Sequence, residues 1–216
     1  WRQERRIKEN ITLILTLIHQ SLYTHMKTKQ LEELVYRDEL TGLFNYRFFQ
    51  LALEAEIKRA ERSNRNFGLM FLDLDNFKCI NDQYGHSTGS SLLQKVAQVL
   101  CADLRRTDII IRWGGDEYVI IVTDLECLDL EKIAQRVCNK IAGLPFYLAE
   151  SNLYITASIG LSSFPNDGRT VQKLLDTADL RMYLGKKNGK NRVVGASAEL
   201  AIFRENSQSI STLSID

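Results

Sequence analysis

The stretch IIIRWGGDEYVIIV, residues 109–122, decides the fold. Two runs rich in β-branched and aromatic residues flank a Gly-Gly pair, which is typical of two antiparallel strands joined by a two-residue turn. Asp116 and Glu117 follow the glycines directly, so the predicted hairpin carries two carboxylates at its tip. The surrounding sequence indicates whether those carboxylates are merely solvated or share a ligand.

Helical and extended segments alternate on both sides of this hairpin. FGLMFLDLDNF, residues 67–77, is apolar at nearly every position and predicts a central strand that is buried on both faces. Apolar residues spaced by three and four predict amphipathic helices elsewhere. In chain order we predict a helix ending near residue 62, the central strand, a helix ending at 104, the hairpin, a helix at 128–141, a strand at 153–164 and a helix at 170–187.

This order of elements, β-α-β-β-α-β, is the split pattern of ferredoxin-like folds. We therefore predict an α+β fold of the palm type, with an antiparallel sheet in which the first strand lies beside the hairpin. The flanking helices are expected on one face of this sheet, and a long helix is expected to precede the domain. Because many functions share this fold, function must be argued from the site.

The N-terminal residues 1–36 contain neither Gly nor Pro and predict one long helix. Its apolar stripe comprises Ile7, Ile11, Ile14, Ile18, Leu22 and Met26. The stripe could pack on the helix's own domain, but no partner for it is visible in the sequence. We favour a coiled coil that pairs two copies and passes on a signal from an upstream sensor. The expected domains are this linker, the globular part at 37–195, and a loosely ordered polar tail at 196–216.

Composition narrows the possible partners. The chain has 216 residues and a net charge of +1, so no overall field favours a nucleic acid polymer or an anionic membrane. The most apolar run, residues 11–18, is shorter than the roughly 20 residues of a membrane span, so direct membrane insertion is not expected. Four dispersed cysteines without a CxxC pair favour reduced thiols and a cytoplasmic location. The chain opens at Trp1 and is interpreted as part of a longer protein.

Acidic residues at two places predict a metal site. Asp73 and Asp75 lie two positions apart where the central strand ends, so they share a face. Since the hairpin tip can lie next to this strand end, Asp73, Asp116 and Glu117 are expected to converge. Their mutual repulsion is relieved by a divalent cation, and oxygen ligands favour Mg²⁺ or Mn²⁺ over zinc. Acids at a turn such as Asp116 and Glu117 are usually solvated, and Asp75 could merely cap a turn, but the two pairs together favour the metal.

Two segments are candidates for holding phosphate groups. DNFKCINDQYGH, residues 75–86, follows the acidic strand, and a turn there would expose backbone N–H groups beside the charge of Lys78. GKKNGKNR, residues 185–192, places Lys186 and Lys190 after a helix. Lysines there can simply complement the helix dipole, but a metal site that completes its shell with phosphates favours phosphate contact. Metal and lysines together indicate phosphoryl or nucleotidyl transfer.

Taken together, these motifs resemble the GGDEF family, the diguanylate cyclases. They appear in order over residues 38–194 as DELTGLFN, FLDLDNFKCINDQYGH, RWGGDEY, ITASIG and ADLRMYLGKKNGKNR. Tyr118 replaces the usual phenylalanine, a change that keeps a buried ring. The resemblance implies that each domain binds one nucleoside triphosphate. It also implies that two domains meet as a homodimer and join the nucleotides into a cyclic dinucleotide.

The resemblance also implies a role for each site residue. Asp73 and Glu117, with the Leu74 carbonyl, would hold Mg²⁺ or Mn²⁺. Asp116 would lie near the attacking 3′-hydroxyl as ligand or base, and Arg112 would neutralise developing charge. The remaining substrate-binding residues are Lys78, Lys186 and Lys190 for the β- and γ-phosphates, Asn81 for the base, and Phe77.

RRTD, residues 105–108, adds a second family feature. Arg105 and Asp108 form an RxxD pattern that five residues separate from the Gly-Gly pair. In the family this pattern binds the cyclic dinucleotide product and inhibits the enzyme, and a guanidinium fork suits a phosphate or a guanine edge. The alternative is a surface ion pair, but the spacing favours an inhibitory site.

One departure from the family concerns the base. The family pattern is GHxxGD, but residues 85–90 read GHSTGS, so Ser90 stands where the family has a base-reading aspartate. A carboxylate accepts hydrogen bonds from guanine N1–H and N2–H₂, whereas adenine has an acceptor at N1. A hydroxyl both donates and accepts, so Ser90 should shift the preference by roughly 1–3 kcal/mol away from guanine.

The departure at Ser90 resembles the hybrid promiscuous (Hypr) branch, which makes cyclic AMP-GMP. We therefore predict a cyclase that uses GTP and ATP, with cyclic di-GMP as a further product. Two alternatives stay open: a strict diguanylate cyclase, and an idle module that only binds cyclic dinucleotides.

Overall fold

The computed structural model describes residues 1–125, 130–148 and 151–199. Its elements in chain order are α1 (Arg2–Tyr36), β1 (Phe44–Asn45), α2 (Tyr46–Ser63), β2 (Phe67–Leu74), α3 (Phe77–Asp103), β3 (Ile109–Gly114), β4 (Glu117–Val122), α4 (Leu130–Ala142), β5 (Phe146–Leu148), β6 (Ser151–Leu153), β7 (Ala157–Phe164), α5 (Val171–Lys187) and β8 (Arg192–Val194). The chain separates into two compact units, one that ends at Arg37 and one that begins at Asp38.

The first unit is a single helix of 35 residues, α1. Its length agrees with the absence of Gly and Pro, the two residues that most disfavour a helix interior. The described members of its apolar stripe are exposed, from 50% at Ile11 to 62% at Met26. Pairing of this stripe with a second copy stays a prediction. Within the described residues, no helix is long and apolar enough to cross a membrane.

The second unit is built on a six-stranded sheet with the order β1-β3-β4-β2-β7-β8. The four inner strands are antiparallel, and β2 lies between the hairpin strand β4 and β7. This arrangement confirms the predicted α+β palm-type fold. Two short edge strands, β1 and β8, add in parallel to β3 and β7 and extend the predicted sheet.

Helices cover both faces of this sheet, so the expectation of helices on one face was wrong. Met70, Leu72 and Leu74 of β2 join the hydrophobic cluster that contains residues of α3 and α4. Leu69 and Phe71, which point the opposite way, join a second cluster with α2 and α5. A strand that is apolar at successive positions needs cover on both sides, and all eight residues of β2 are buried.

The segment after β2 is a kinked helix. Only Asp75 and Asn76 form a turn, and α3 then begins at Phe77. Gly85 interrupts the helix with φ 83° and ψ 158°, a conformation that glycine adopts without steric cost. The kink divides α3 into a short arm before Gly85 and a long arm after it.

Tyr118 is fully buried, as the sequence predicts, and its hydroxyl donates a hydrogen bond to the Leu93 carbonyl at 3.0 Å. The start of the predicted tail, residues 196–199, is helical, and Glu199 accepts a hydrogen bond from Arg181 at 2.8 Å. Residues 200–216 of that tail lie outside the described residues, as does Cys127. The three described cysteines are free.

Candidate active site

Two carboxylates face each other where β2 ends and β4 begins. Asp73 and Glu117 are paired directly across the two antiparallel strands. Asp73 is only 6% exposed, and its Oδ1 has no hydrogen-bond partner within the described part of the chain. Its Oδ2 forms an ion pair with Lys186 Nζ at 2.5 Å. A buried carboxylate oxygen without a donor is unusual, and it fits a position that can accept a ligand.

The electrostatics of this pair favour a cation. Burial raises the pKa of Asp73. The neighbouring charges of Asp116 and Asp75 raise that pKa further, whereas Lys186 opposes the rise. Burial also raises the pKa of Glu117, with Asp73 and Asp116 adding to the effect. The single ammonium group of Lys186 therefore does not fully offset the burial and mutual repulsion of these carboxyls.

The donor set fits a hard divalent cation. Within the described ranges, no three His, Cys, Asp or Glu residues form a group that would hold a metal ion by themselves. Asp73 and Glu117 provide two carboxylates, and Mg²⁺ in proteins is often bound by one or two carboxylates plus water and substrate phosphates. The unpartnered Asp73 Oδ1 is the observation on which this fit depends.

Asp75, by contrast, is a structural residue. Its carboxylate accepts hydrogen bonds from Thr156 Oγ1 at 2.7 Å, Ser158 Oγ at 2.8 Å and the Asn191 backbone N–H at 2.9 Å. These bonds attach the end of β2 to β7 and to the loop before β8. Asp75 therefore does not join Asp73 in a shared site, although the two residues lie on the same strand end.

Arg112 holds the hairpin tip in place through hydrogen bonds to the turn and to Asp38. Gly115 and Asp116 form the turn between β3 and β4, and Gly115 has φ 50°. Arg112 Nη1 donates to both carboxylate oxygens of Asp38 at 3.1 Å, and its Nη2 donates to the Gly115 carbonyl at 2.7 Å. Burial alone would raise the pKa of Asp38, but hydrogen bonds from Thr41 and Arg112 outweigh it and lower that pKa.

These contacts engage the guanidinium within the chain, so Arg112 supports the turn in this structure. Its side chain is 14% exposed. Direct neutralisation of phosphate charge by Arg112 stays a prediction. The Leu74 N–H donates to the Asp116 carbonyl at 3.3 Å, which joins the hairpin tip to the end of β2.

Two of the three lysines predicted to bind phosphate, Lys186 and Lys190, lie at this strand end. Lys190 Nζ contacts Asn76 Oδ1 at 2.5 Å, as Lys186 contacts Asp73. Asn76 occupies the N-cap position of α3 in a left-handed conformation and its side chain makes no capping bond. The first N–H groups of α3 thus have no side-chain cap from Asn76, and Lys78 is exposed in the same turn.

The close packing of α5 on β7 delivers Lys186 to this place. A Cβ atom on Gly160 would come within 1.9 Å of the Ala178 carbonyl, so the helix can approach the strand only because this residue is glycine. A cavity of about 490 Å³ lies along α5 and is lined by Asp73, Glu117, Asp176, Asp179, Leu180, Met182, Tyr183 and Lys186. Sequence reasoning missed the two aspartates of α5.

The candidate base-binding residues come together across the kink of α3. A Cβ atom on Gly89 would lie 1.9 Å from Asn81 Oδ1 and 3.1 Å from the Phe77 ring, so the two arms of the helix touch here. Ser90 follows directly and is half-buried. Sequence reasoning missed the role of Gly89, although its place beside Ser90 was the available signal.

The RxxD turn is closed by backbone contacts. Asp108 Oδ2 accepts from the Arg105 backbone N–H at 2.9 Å, and Asp108 Oδ1 accepts from the Thr123 N–H at 3.2 Å. The Arg105 side chain is exposed. Asp108 therefore shapes the turn, and Arg105 is the member of the pattern that solvent and ligands can reach.

The palm-type sheet and its facing carboxylates are those expected of a nucleotidyltransferase domain. Residues 35–192 match the family described as "Diguanylate cyclase, GGDEF domain". The chain belongs to the GGDEF family, as its motifs predict.

Named relatives agree with this family. The chain is 38% identical over 163 residues to the bifunctional diguanylate cyclase/cyclic di-GMP phosphodiesterase MucR of Pseudomonas aeruginosa. The alignment covers 76% of this chain and 24% of MucR. It is 36% identical over 190 residues to the response regulator PleD of Caulobacter vibrioides. That alignment covers 86% of this chain and 42% of PleD. The chain thus spans less than half the length of either relative.

A solved structure agrees as well. The GGDEF domain of DgcB from Caulobacter crescentus, determined in complex with c-di-GMP, superposes with a TM-score of 0.69 at 26% sequence identity. The match covers 75% of this chain and 93% of that domain.

Proposed function

We propose that this chain is a dinucleotide cyclase that condenses GTP and ATP into 3′,3′-cyclic GMP-AMP, with cyclic di-GMP as a further product. The observation that carries the cyclase activity is the facing pair Asp73 and Glu117, with Asp73 Oδ1 buried and unpartnered. Membership of the diguanylate cyclase family supports it.

The acids provide the metal site of this proposal. Asp73 and Glu117, with the Leu74 carbonyl, would hold Mg²⁺ or Mn²⁺. When bound, such a cation lowers the pKa of a ribose 3′-hydroxyl and stabilises negative charge on the attacked α-phosphate. Asp116, at the hairpin tip, accepts the proton of that hydroxyl or completes the ligand set.

Lysines and backbone N–H groups would bind the triphosphate. Lys186 and Lys190 lie beside the end of β2 and exchange their present partners, Asp73 and Asn76, for the β- and γ-phosphates. Lys78 and the open N-terminus of α3 add further donors. Arg112 keeps the hairpin tip in place through the Gly115 carbonyl.

The proposal requires two copies of the chain. Each domain offers one such site, so joining two nucleotides brings two domains face to face with a hairpin tip from each. The exposed apolar stripe of α1 is the proposed means of pairing, because burial of apolar area drives association.

Base choice is assigned to Ser90. The contact between Asn81 and Gly89 supports a base pocket at the kink of α3, with Ser90 adjoining it. A hydroxyl serves both a guanine edge and an adenine edge, whereas an aspartate would favour guanine. Mixed substrate use follows.

Product inhibition is assigned to Arg105 and Asp108. The exposed Arg105 guanidinium suits a phosphate or a guanine edge of the product. Asp108 holds the turn that presents it and keeps acceptor capacity for a base N–H.

A strict diguanylate cyclase is the second candidate, because MucR carries that activity in its name. An idle module is disfavoured because Asp73, Asp116, Glu117 and Lys186 are all present and three of them surround one cavity.

The deciding experiment incubates the full chain with Mg²⁺ and GTP, ATP or both, and separates the products by liquid chromatography and mass spectrometry. We expect cyclic GMP-AMP from the mixture and cyclic di-GMP from GTP alone. Cyclic di-GMP as sole product from the mixture would favour the strict cyclase, and no dinucleotide from any mixture would refute the enzyme.

A further inference from the structure

Lys186 occupies the acidic cavity as its cation. Its Nζ lies 2.5 Å from Asp73 Oδ2, with the lysine side chain 30% exposed and the aspartate side chain 9% exposed. Burial raises the pKa of Glu117 and of Asp179, and the same ammonium group opposes that rise, so its charge acts on three acids at once. Lys186 therefore partly neutralises the site before any ligand is present.

The free oxygen of Asp73 lies next to this ammonium group. Oδ1 and Oδ2 belong to one carboxylate, so a cation bound at Oδ1 lies within a few ångströms of Lys186 Nζ. Like charges at that separation repel, and they repel more strongly in a partly buried cavity than in bulk water. A divalent cation and the ammonium group cannot both be bound there without this cost.

A triphosphate offers Lys186 a different partner. The lysine lies in the last turn of α5, one residue before the helix ends, and its flexible stem ends in a partly exposed amine. Phosphate oxygens therefore compete with Asp73 for its three donors.

We propose that Lys186 is an internal counter-ion of Asp73, one that weakens binding of a divalent cation until a triphosphate draws the lysine away. The proposal rests on the proposed function, because it requires that a nucleotide and a metal share this site. Metal binding and nucleotide binding are then coupled, and by linkage each strengthens the other.

This coupling has a consequence for the unliganded protein. In the absence of nucleotide, the metal site is partly blocked by the chain's own lysine. Removal of that lysine should tighten metal binding, which is the opposite of what a simple supporting residue would do. A lysine that only gripped phosphate would leave the affinity for the metal alone unchanged.

The neighbouring Lys187 is a matched control. It belongs to the same turn of α5, but its Nζ lies 5.1 Å from the centre of the Tyr183 ring, in a cation–π contact. Lys187→Met thus removes the same charge from the same helix end without removing the contact to Asp73.

The test measures Mn²⁺ binding to the full chain without nucleotide, by electron paramagnetic resonance of free Mn²⁺. We expect Lys186→Met to bind Mn²⁺ about tenfold more tightly than the wild type, since one positive charge is removed beside the site. Lys187→Met should match the wild type. Adding Asp73→Asn to Lys186→Met should remove the gain, and circular dichroism should show that each variant is folded.

Unchanged or weaker Mn²⁺ binding in a folded Lys186→Met variant would overturn the proposal that Lys186 is a counter-ion of Asp73. Equal tightening by Lys187→Met would also overturn it, because the effect would then be general charge rather than the contact to Asp73. Neither result touches the proposed function, which is judged by the products that the wild type forms from GTP and ATP. If the wild type forms no dinucleotide while Lys186→Met tightens Mn²⁺ binding, the counter-ion role of Lys186 is supported and the proposed cyclase activity is refuted.

Discussion

The two carboxylates at the end of β2, Asp75 and Asp73, differ in the hydrogen-bond donors that surround them. On the side of β7, Asp75 is 3% exposed and accepts three hydrogen bonds. On the side of α5, Asp73 is 6% exposed, yet one of its oxygens has no partner within the described residues. Burial is therefore almost the same, and what differs is the supply of donors. A buried carboxylate with a full set of donors holds the fold together, whereas one with an open oxygen is available for a ligand.

The largest expected effect lies on the ligand side. Glu117→Gln removes one carboxylate from the facing pair but keeps its size, so we expect turnover to fall by roughly a thousandfold. The rate of dinucleotide formation checks this, with thermal unfolding as a control for the fold. A folded variant with wild-type turnover would contradict the role of this pair.

The next prediction tests the contrast between Asp73, near the end of β2, and Asp75, in the turn that follows the strand. The Asp75 carboxylate accepts three hydrogen bonds, and in Asp75→Asn an NH₂ group would face one or more of those donors. This change should lower the free energy of unfolding by about 2 kcal/mol. Asp73→Asn should cost less than about 1 kcal/mol, because it removes an under-satisfied buried charge. Urea unfolding of both variants measures the difference. Equal losses would show that the two carboxylates play the same structural part.

Ser90 offers the reverse experiment, in which a carboxylate is introduced. Ser90→Asp restores the acceptor that guanine pairs with, so the product from mixed GTP and ATP should shift towards cyclic di-GMP by about tenfold, within the roughly 1–3 kcal/mol of one lost discriminator. Chromatography of the products measures the ratio. Ser91→Asp, one residue further along α3 on an exposed position, serves as the control. A ratio that Ser90→Asp leaves unchanged would remove Ser90 from base recognition.

The smallest effect is expected at the RxxD turn, where Asp108 is satisfied by backbone donors much as Asp75 is. Arg105→Ala leaves that turn closed and should raise the product concentration for half-inhibition by severalfold to about tenfold. Arg106→Ala, the exposed neighbour, should leave inhibition as in the wild type. Inhibition that persists undiminished in Arg105→Ala would make the pattern a structural turn alone.

Local patterns predicted much of the fold. The β-branched and aromatic runs on either side of Gly114 and Gly115 and the apolar run in β2 indicated the antiparallel centre of the sheet, and helical spacing indicated α2, α4 and α5. The convergence of Asp73 and Glu117 followed from the order of the strands. β1, with two residues, and β8, with three, are too short to show a period. The helix cover on both faces was missed, although β2, which is apolar at nearly every position, already required it.

Other features depend on contacts that no local pattern contains. The three donors to Asp75 come from residues 81 to 116 positions further along the chain. Arg112 and Asp38, which hold the hairpin tip, are 74 positions apart. In each case the residue type indicates a polar role, but only the folded chain shows which acceptor is satisfied and which is left open. The sequence placed Asp73 and Asp75 on one face, but it did not show that Asp75 is satisfied by these three donors.

The contact between Gly89 and Asn81 sets how this chain can be redesigned. Any side chain at position 89 would displace the Asn81 amide, since even a methyl carbon there would lie 1.9 Å from its oxygen. Position 90 has no such constraint from this contact. In a saturation library over both positions, active members should keep glycine at 89 while varying at 90, so altered nucleobase preference would be reached through a single codon.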